Sequence, residues 1–285
     1  MAEQARPRAA MAGQVKLGGA VVVNRLGFGA MRITGPGIWG EPRDPAEALR
    51  VLRRAVELGV NFIDTAHAYG PDISERLIAE ALYPYADELI IATKSGLQRR
   101  GPNAWYPDGR PETIRRDCER SLELLRRGTI DLYQFHTVDP RVPIEESLGT
   151  MVELRAQGKV RKLGVCNVNA EQLRRARTVT EIVSVQNRYR IGDRASDDLV
   201  ELCEREAIAF LPWRPLGGGA FTRARNLQSV AAAHGATAGQ VAIAWLLARS
   251  PTMLPIPGTS SVAHLEENVT AAALRLSAEE LGRLA

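Results

Sequence analysis

Apolar residues along the chain fall into two kinds of run that take turns. Short, nearly continuous apolar stretches of strand length are each followed by a longer stretch in which apolar residues return every three or four positions. Residues 15–23, broken by Gly18-Gly19, read first as a short hairpin. The strand–helix unit then begins. Strands are expected at 25–31, 61–66, 88–93, 131–136, 162–167, 182–187, 209–215 and 253–257. Helices are expected at 45–58, 73–82, 111–127, 144–157, 170–177 and 196–206, with two more within 225–249 and others at 262–273 and 278–284. In the first helix Ala46, Leu49, Leu52, Ala55 and Val56 mark the inward face. Pro111 opens the third, where its missing N–H costs nothing. Residues 95–110, with Trp105 and Tyr106, read as a long loop.

Strands buried on both faces and alternating with amphipathic helices argue for a parallel sheet. Eight such units predict an α/β fold of the (β/α)8 TIM-barrel type, preceded by the short N-terminal β-hairpin. An open doubly wound sheet is the competing arrangement. Its dinucleotide fingerprint is matched only by Gly27-x-Gly29-x-x-Arg32, which lacks the third glycine. Residues 1–13, rich in Ala, Arg and Gln, read as a flexible leader, and 14–285 as a single barrel domain.

Composition narrows the function classes. The 285 residues are 45% hydrophobic, enough for one large core. The net charge is only +4, and the basic residues are mixed with acids, as in Arg115-Arg116-Asp117-Cys118-Glu119-Arg120, which argues against nucleic acid. Cys118, Cys166 and Cys203 are far apart and form no C-x-x-C pair, so no zinc site or disulfide framework is expected. Their odd number suits a reducing compartment, and no apolar run is long enough for a membrane span. A cytoplasmic location is expected.

Chemistry in a barrel gathers at the C-terminal ends of the strands. The second strand runs from Phe62 and Ile63 into Asp64, His67 and Tyr69 before the Gly70-Pro71 turn. The third ends on Lys94, in a chain whose only other lysines are Lys16, Lys159 and Lys162. The fourth ends on His136. A partly buried Lys94 needs a partner, and Asp64 on the adjacent strand supplies one. An ammonium beside Tyr69 is expected to lower the pKa of the phenol and suit it to general-acid work. His136 is placed to donate to a substrate carbonyl. The same residues also fit a structural ion pair, a packed tyrosine and a capped histidine. Four of them at adjacent strand ends favour a site.

These motifs resemble the aldo-keto reductases over nearly the whole chain. The resemblance rests on Asn61-Phe-Ile-Asp-Thr-Ala-His-Ala-Tyr-Gly70, Thr93-Lys94, Asp131-Leu-Tyr-Gln-Phe-His136, Gly164-Val-Cys-Asn167, Val185-Gln-Asn187, Pro215-Leu-Gly217, and Pro255-Ile-Pro-Gly-Thr259 with Glu267-Asn268. It implies a catalytic tetrad of Asp64, Tyr69, Lys94 and His136, and hydride transfer from a nicotinamide to an aldehyde or ketone with Tyr69 as proton donor. It also implies a cofactor path. Ala30 and Met31 close the first strand, Asn167 and Gln186 hold the carboxamide, and Trp213 stacks on the ring. Cys166 stands where the family has serine. Pro215, Leu216, Gly217 and Gly218 approach the pyrophosphate. Pro257, Gly258, Thr259, Ser260, His264, Glu267 and Asn268 take the adenosine end.

The family often carries a lysine and an arginine where this chain has Gly258 and His264. The resemblance still implies NADPH, gripped in their absence through Ser260, Ser261, the helix N-terminus after them and His264, with NADH as the alternative. Loop residues Arg32, Trp39, His67, Trp105, Tyr106 and Arg214 are candidate substrate walls. Stretches such as Arg32-Ile-Thr-Gly-Pro-Gly37 resemble the bacterial branch that contains pyridoxal reductases, which implies pyridoxal as a substrate. Other aldehydes, sugars and natural-product ketones are the alternatives. The family's cytoplasmic potassium-channel β-subunits suggest a second class, a non-catalytic NADPH-sensing subunit. No metal is required, and oligomeric state is not indicated.

Overall fold

The computed structural model describes residues 8–19, 21–217 and 224–284. The hairpin forms from β1 (Gln14–Leu17) and β2 (Val21–Asn24), paired antiparallel. Seven parallel strands follow: β3 (Phe28–Gly29), β4 (Phe62–Asp64), β5 (Ile90–Ser95), β8 (Ile130–Phe135), β9 (Val160–Cys166), β10 (Ser184–Arg188) and β11 (Ala209–Trp213). They are hydrogen-bonded in that order, each to its neighbour.

The expected eighth strand lies in its place but is reduced to a single bridge, Met253 against Phe210. The reason is chemical: Pro255 and Pro257 have no N–H to give a ladder. Closure rests on a few bonds. Phe210 N–H donates to Thr252 O at 3.0 Å, Leu254 N–H to Phe210 O at 2.8 Å, and Gly27 N–H to Pro255 O at 2.9 Å. A side chain at Gly27 would press on Phe62 and Ile256 across this seam.

Helices cover the outside of the barrel: α1 (Pro45–Glu57), α2 (Ile73–Leu82), α3 (Pro111–Leu124), α4 (Ile144–Ala156), α5 (Ala170–Val179), α6 (Asp197–Arg205), α7 (Arg225–Ala233), α8 (Ala238–Arg249), α9 (Val262–Thr270) and α10 (Ala278–Leu284). Their starts follow capping chemistry. Asp44 accepts from Glu47 N–H ahead of α1, and Asn169–Gln172 and Thr237–Gln240 form capping boxes for α5 and α8. Helix α1 buries Ala48, Val51, Leu52 and Ala55. Its stripe is turned from the expected face, and Ala46 is exposed, because α1 also packs against α2 and α9.

Two expectations are corrected. Residues 95–110 are not a plain loop but contain a hairpin, β6 (Leu97–Gly101) and β7 (Ala104–Pro107). Strand β6 is mostly polar and β7 is four residues closed by a proline, so neither carries an apolar alternation. Gly101-Pro102-Asn103 reads as loop punctuation, yet it makes the hairpin turn, with Asn103 left-handed at φ 55°. Of the expected leader, residues 1–7 lie outside the described residues, and the remainder is ordered. Residues 9–12 form a 3₁₀ turn with Ala9 fully buried, and Ala9 N–H donates to Leu58 O at 2.9 Å.

The interior holds Phe62, Ile90, Ala92, Leu132, Val183, Ala209, Leu211, Leu254 and Ile256, continuous with Val15, Leu17 and Val23 of the hairpin. The hairpin therefore plugs the N-terminal end of the barrel and leaves the C-terminal end open. No single described helix is long and apolar enough to cross a membrane. If the plug belongs to the core, Leu17→Ala will lower the unfolding free energy by about 2–5 kcal/mol in urea titration. A loss below about 0.5 kcal/mol, the range of an ordinary surface change, would show that it does not.

Candidate active site

Alternation along the strands decides which side chains enter the barrel mouth. In β5, Ala92 and Lys94 point inward, whereas Thr93 and Ser95 point out and bond Glu75 and Asp117. Lys94 is wholly buried. Its Nζ donates to Asp64 Oδ2 at 2.7 Å, to Thr65 O at 2.7 Å and toward Tyr69 Oη at 3.3 Å. The other Asp64 oxygen accepts from Gln186 Nε2 at 2.8 Å and Gln134 Nε2 at 3.2 Å. Four strands thus meet at one carboxylate. Sequence reading missed Gln134, although it lies two residues before His136 in β8 and so on the same face.

The electrostatics differ from expectation at Tyr69. Burial raises the phenol and outweighs Lys94, which pulls the other way, so its pKa is pushed up to about 12 rather than lowered. Burial alone would lower the Lys94 ammonium. Asp64 and Tyr69 more than offset that and hold it above its ordinary range. His136 is pushed well below the ordinary histidine range, by burial first and by Lys94 second, so its ring is neutral near pH 7. The Tyr69 ring meets His136 edge-on at 6.0 Å and Trp105 edge-on at 6.4 Å. The His136 Nδ1 is buried without a hydrogen-bond partner among the described residues.

Tyr69 and His136 line a cavity of about 570 Å³, within the range of small-molecule sites. Its other walls include Met31, Arg32, Trp105, Asn167, Gln186, Trp213 and Arg214. Gly37, Ile38, Leu97 and Asn103 also line it and were not foreseen, because neither the loops nor the short hairpin carry a periodic signal. Asn167 sits in the left-handed region at φ 54°. It donates to His136 O at 2.9 Å and accepts from Trp213 Nε1 at 3.0 Å.

A second cavity joins the first through Met31, Arg32, Tyr69, Gln186, Trp213 and Arg214. It runs along Pro215, Leu216, Gly217, Pro257 and Gly258. A third continues from Leu216 and Gly258 to Thr259, His264, Glu267 and Asn268, with Thr237, Ala238 and Gly239 beside them. The three share residues and form an elongated cleft. A Cβ at Gly258 would collide with Gly29 O, and Gly217 has φ 64°, so both narrow points need glycine. Length, backbone lining and the amide and indole groups at one end fit a dinucleotide. No cluster of three or more metal-ligating side chains occurs among the described residues.

Several candidates lie elsewhere. Cys166 is fully buried, its thiol raised by burial, and is not on the cavity wall. Ala30 is buried behind the wall, its carbonyl accepting from Ser74 Oγ at 3.3 Å. Trp39 is exposed and stacks toward Arg99, and Tyr106 lies over Arg100. The His67 ring turns away, 3.4 Å from Asp72 Oδ1 and 3.6 Å from Asp117 Oδ1. The start of α9 is already engaged, since Val262 N–H donates to Glu47 Oε1 at 2.9 Å, so that amide is not free for a phosphate. Ser260 lies in a neighbouring cleft with Arg32 and Arg43. Gly218 lies outside the described residues.

The aldo/keto reductase family profile matches residues 25–285. The chain belongs to the aldo/keto reductase family. It is 45% identical over 268 residues to a pyridoxine 4-dehydrogenase of Escherichia coli, covering 92% of this chain and 94% of that one. It is 46% identical over 277 residues to an uncharacterised oxidoreductase of Schizosaccharomyces pombe, covering 97% and 90%. An aldo/keto reductase of Klebsiella pneumoniae, solved with NADP and acetate, superposes with a TM-score of 0.82 at 25% identity, over 95% of this chain and 93% of that one. The barrel is thus that of the aldo/keto reductases, and the protein is an oxidoreductase of that family.

The neutral His136 has a measurable signature. Its folded pKa lies below the unfolded value, so the unfolded chain binds an extra proton below pH 6.5 and stability falls as pH falls through that range. His136→Gln should flatten the fall by up to about 1.4 kcal/mol per pH unit between pH 6.5 and 5. Urea midpoints that fall equally in both proteins would remove the claim.

Proposed function

We propose that this aldo/keto reductase reduces an aldehyde or ketone to an alcohol with NADPH, and that Tyr69 gives the proton. The observation that carries the reading is the chain from Asp64 through Lys94 to the Tyr69 hydroxyl, which ends on the wall of a cavity shared with a neutral His136. A nicotinamide held in the cleft would supply the hydride that the carbonyl carbon takes. Tyr69 delivers a proton to the carbonyl oxygen as negative charge develops there. Because burial keeps the phenol protonated, the proton is present at every physiological pH. Lys94 stabilises the tyrosinate left behind, and Asp64 keeps the ammonium in place. His136 orients the carbonyl. Such donors are commonly worth about 10²–10³ in rate each.

Asn167, Gln186 and Trp213 are the residues that would hold the nicotinamide end, and Glu267 and Asn268 the adenine end. For the 2′-phosphate, Arg32 and Arg43 stand beside Ser260 on the first loop, where they can act for the cations absent at Gly258 and His264. This supports NADPH over NADH. Arg43→Ala should weaken NADPH binding about tenfold, the worth of 1.4 kcal/mol, and leave NADH unchanged in fluorescence titration. Equal weakening of both would reject the assignment.

Pyridoxal is the proposed substrate. Its support is the pyridoxine 4-dehydrogenase relative and a cavity between Trp105 and Trp213 suited to a flat ring. Absorbance of the reduced cofactor should fall through many turnovers with pyridoxal. Turnover of other aldehydes but not pyridoxal would overturn the substrate, and a single stoichiometric oxidation would overturn catalysis in favour of a sensor. Tyr69→Phe should cost at least about 10²-fold in kcat while NADPH still binds. Full activity in that variant would displace Tyr69 as proton donor.

A further inference from the structure

Arg99 lies in β6, behind the cavity wall and not on it. Its Nη1 donates to Ile38 O at 2.6 Å and Ala68 O at 3.2 Å, and its Nη2 to Gly37 O at 2.8 Å and Gly101 O at 3.0 Å. The guanidinium carbon sits 3.7 Å from the centre of the Trp105 ring and 5.5 Å from that of Trp39. No carboxylate among the described residues pairs with it. Every partner is a backbone carbonyl or an aromatic face.

Those carbonyls belong to three different segments. Gly37 and Ile38 lie on the loop after β3, Ala68 lies next to Tyr69 on the loop after β4, and Gly101 ends Arg99's own strand. The same segments supply cavity walls: Gly37 and Ile38 from the first, Tyr69 from the second, and Leu97, Asn103 and Trp105 from the hairpin. Other ties are sparse. Asn103 N–H donates to Gly37 O at 3.0 Å, and Gly40 N–H to Gly70 O at 2.6 Å.

We infer that Arg99 is a positioning residue that sets the width of the substrate cavity by fixing the loop carrying Ile38 and the hairpin carrying Trp105 against the segment carrying Tyr69. The chemistry requires arginine. Two nitrogens in one plane can reach carbonyls on separate segments while the flat face stays against Trp105, whereas a lysine ammonium is a single point with no face to stack. Freed from this tie, Trp105 loses its backing and its edge contact with Tyr69. Ring-bearing carbonyl compounds, which need opposed walls, then bind poorly, and small aliphatic ones are little affected. The inference rests on the reading that this cavity receives the carbonyl substrate.

The test compares Arg99→Met and Arg99→Lys with the unaltered enzyme in NADPH, using 4-nitrobenzaldehyde and propanal. Both variants should raise the KM for 4-nitrobenzaldehyde by about tenfold or more, since small displacements of positioning groups have large effects. The KM for propanal and the Kd for NADPH should stay within about twofold, inside the usual scatter of surface changes. Tryptophan emission should shift to the red. A KM ratio unchanged from the unaltered enzyme, or one that Lys restores in full, would overturn the role. If Arg99→Met does not fold, the Lys variant decides by the same ratio. The two readings fail separately. No turnover by the unaltered enzyme removes carbonyl reduction, whereas normal turnover with an unmoved ratio removes Arg99.

Discussion

Lys94 carries its charge with no access to solvent, and that is tolerable only because Asp64 meets it at 2.7 Å. Buried pairs of this kind seldom add stability over apolar residues of the same size, but removing either partner strands a charge. The carboxylate is in turn held by amides from β8 and β10, and the ammonium by the backbone after β4. The pair therefore makes four strands agree on one geometry. Tyr69 inherits its position from that agreement. Its hydroxyl is aimed from a loop, but what it is aimed against belongs to the rigid interior.

The rest of the site is built from less rigid parts. The hairpin of β6 and β7 and the loop after β3 rise above the barrel and meet over the cavity. They are held mainly by donors to carbonyls and by stacking on tryptophan, with little apolar burial. The buried Asp64–Lys94 pair thus belongs to the sheet, whereas much of the cavity wall belongs to loops. Wall residues can change in such an arrangement without disturbing the buried pair.

What could be read in the sequence follows the same division. Strands and helices announced themselves by period, and Asp64, Lys94 and His136 by ending apolar runs. Gln134 was readable too, two positions before His136. Direction of a pKa was not, because burial of Tyr69 depends on walls brought from other strands. His67 and Trp39 looked as eligible as any wall residue. Only the fold turns His67 toward Asp72 and Asp117 and leaves Trp39 outside, facing Arg99. The hairpin escaped notice because one strand is mostly polar, the other is four residues closed by a proline, and its turn has the composition of a loop. The eighth strand was placed correctly along the chain, yet its prolines deny it a ladder.

Those prolines also decide where the long cleft can run. Along most of the barrel wall, main-chain groups are committed to a neighbouring strand. At the seam between β3 and residues 252–257 the bonds are fewer, with Gly27 N–H to Pro255 O on the β3 side. Gly29, Ile256, Pro257 and Gly258 line the groove there. An unbroken eighth strand would have sealed the barrel more firmly. The incomplete ladder leaves glycine and proline, in place of larger side chains, along that stretch of the groove.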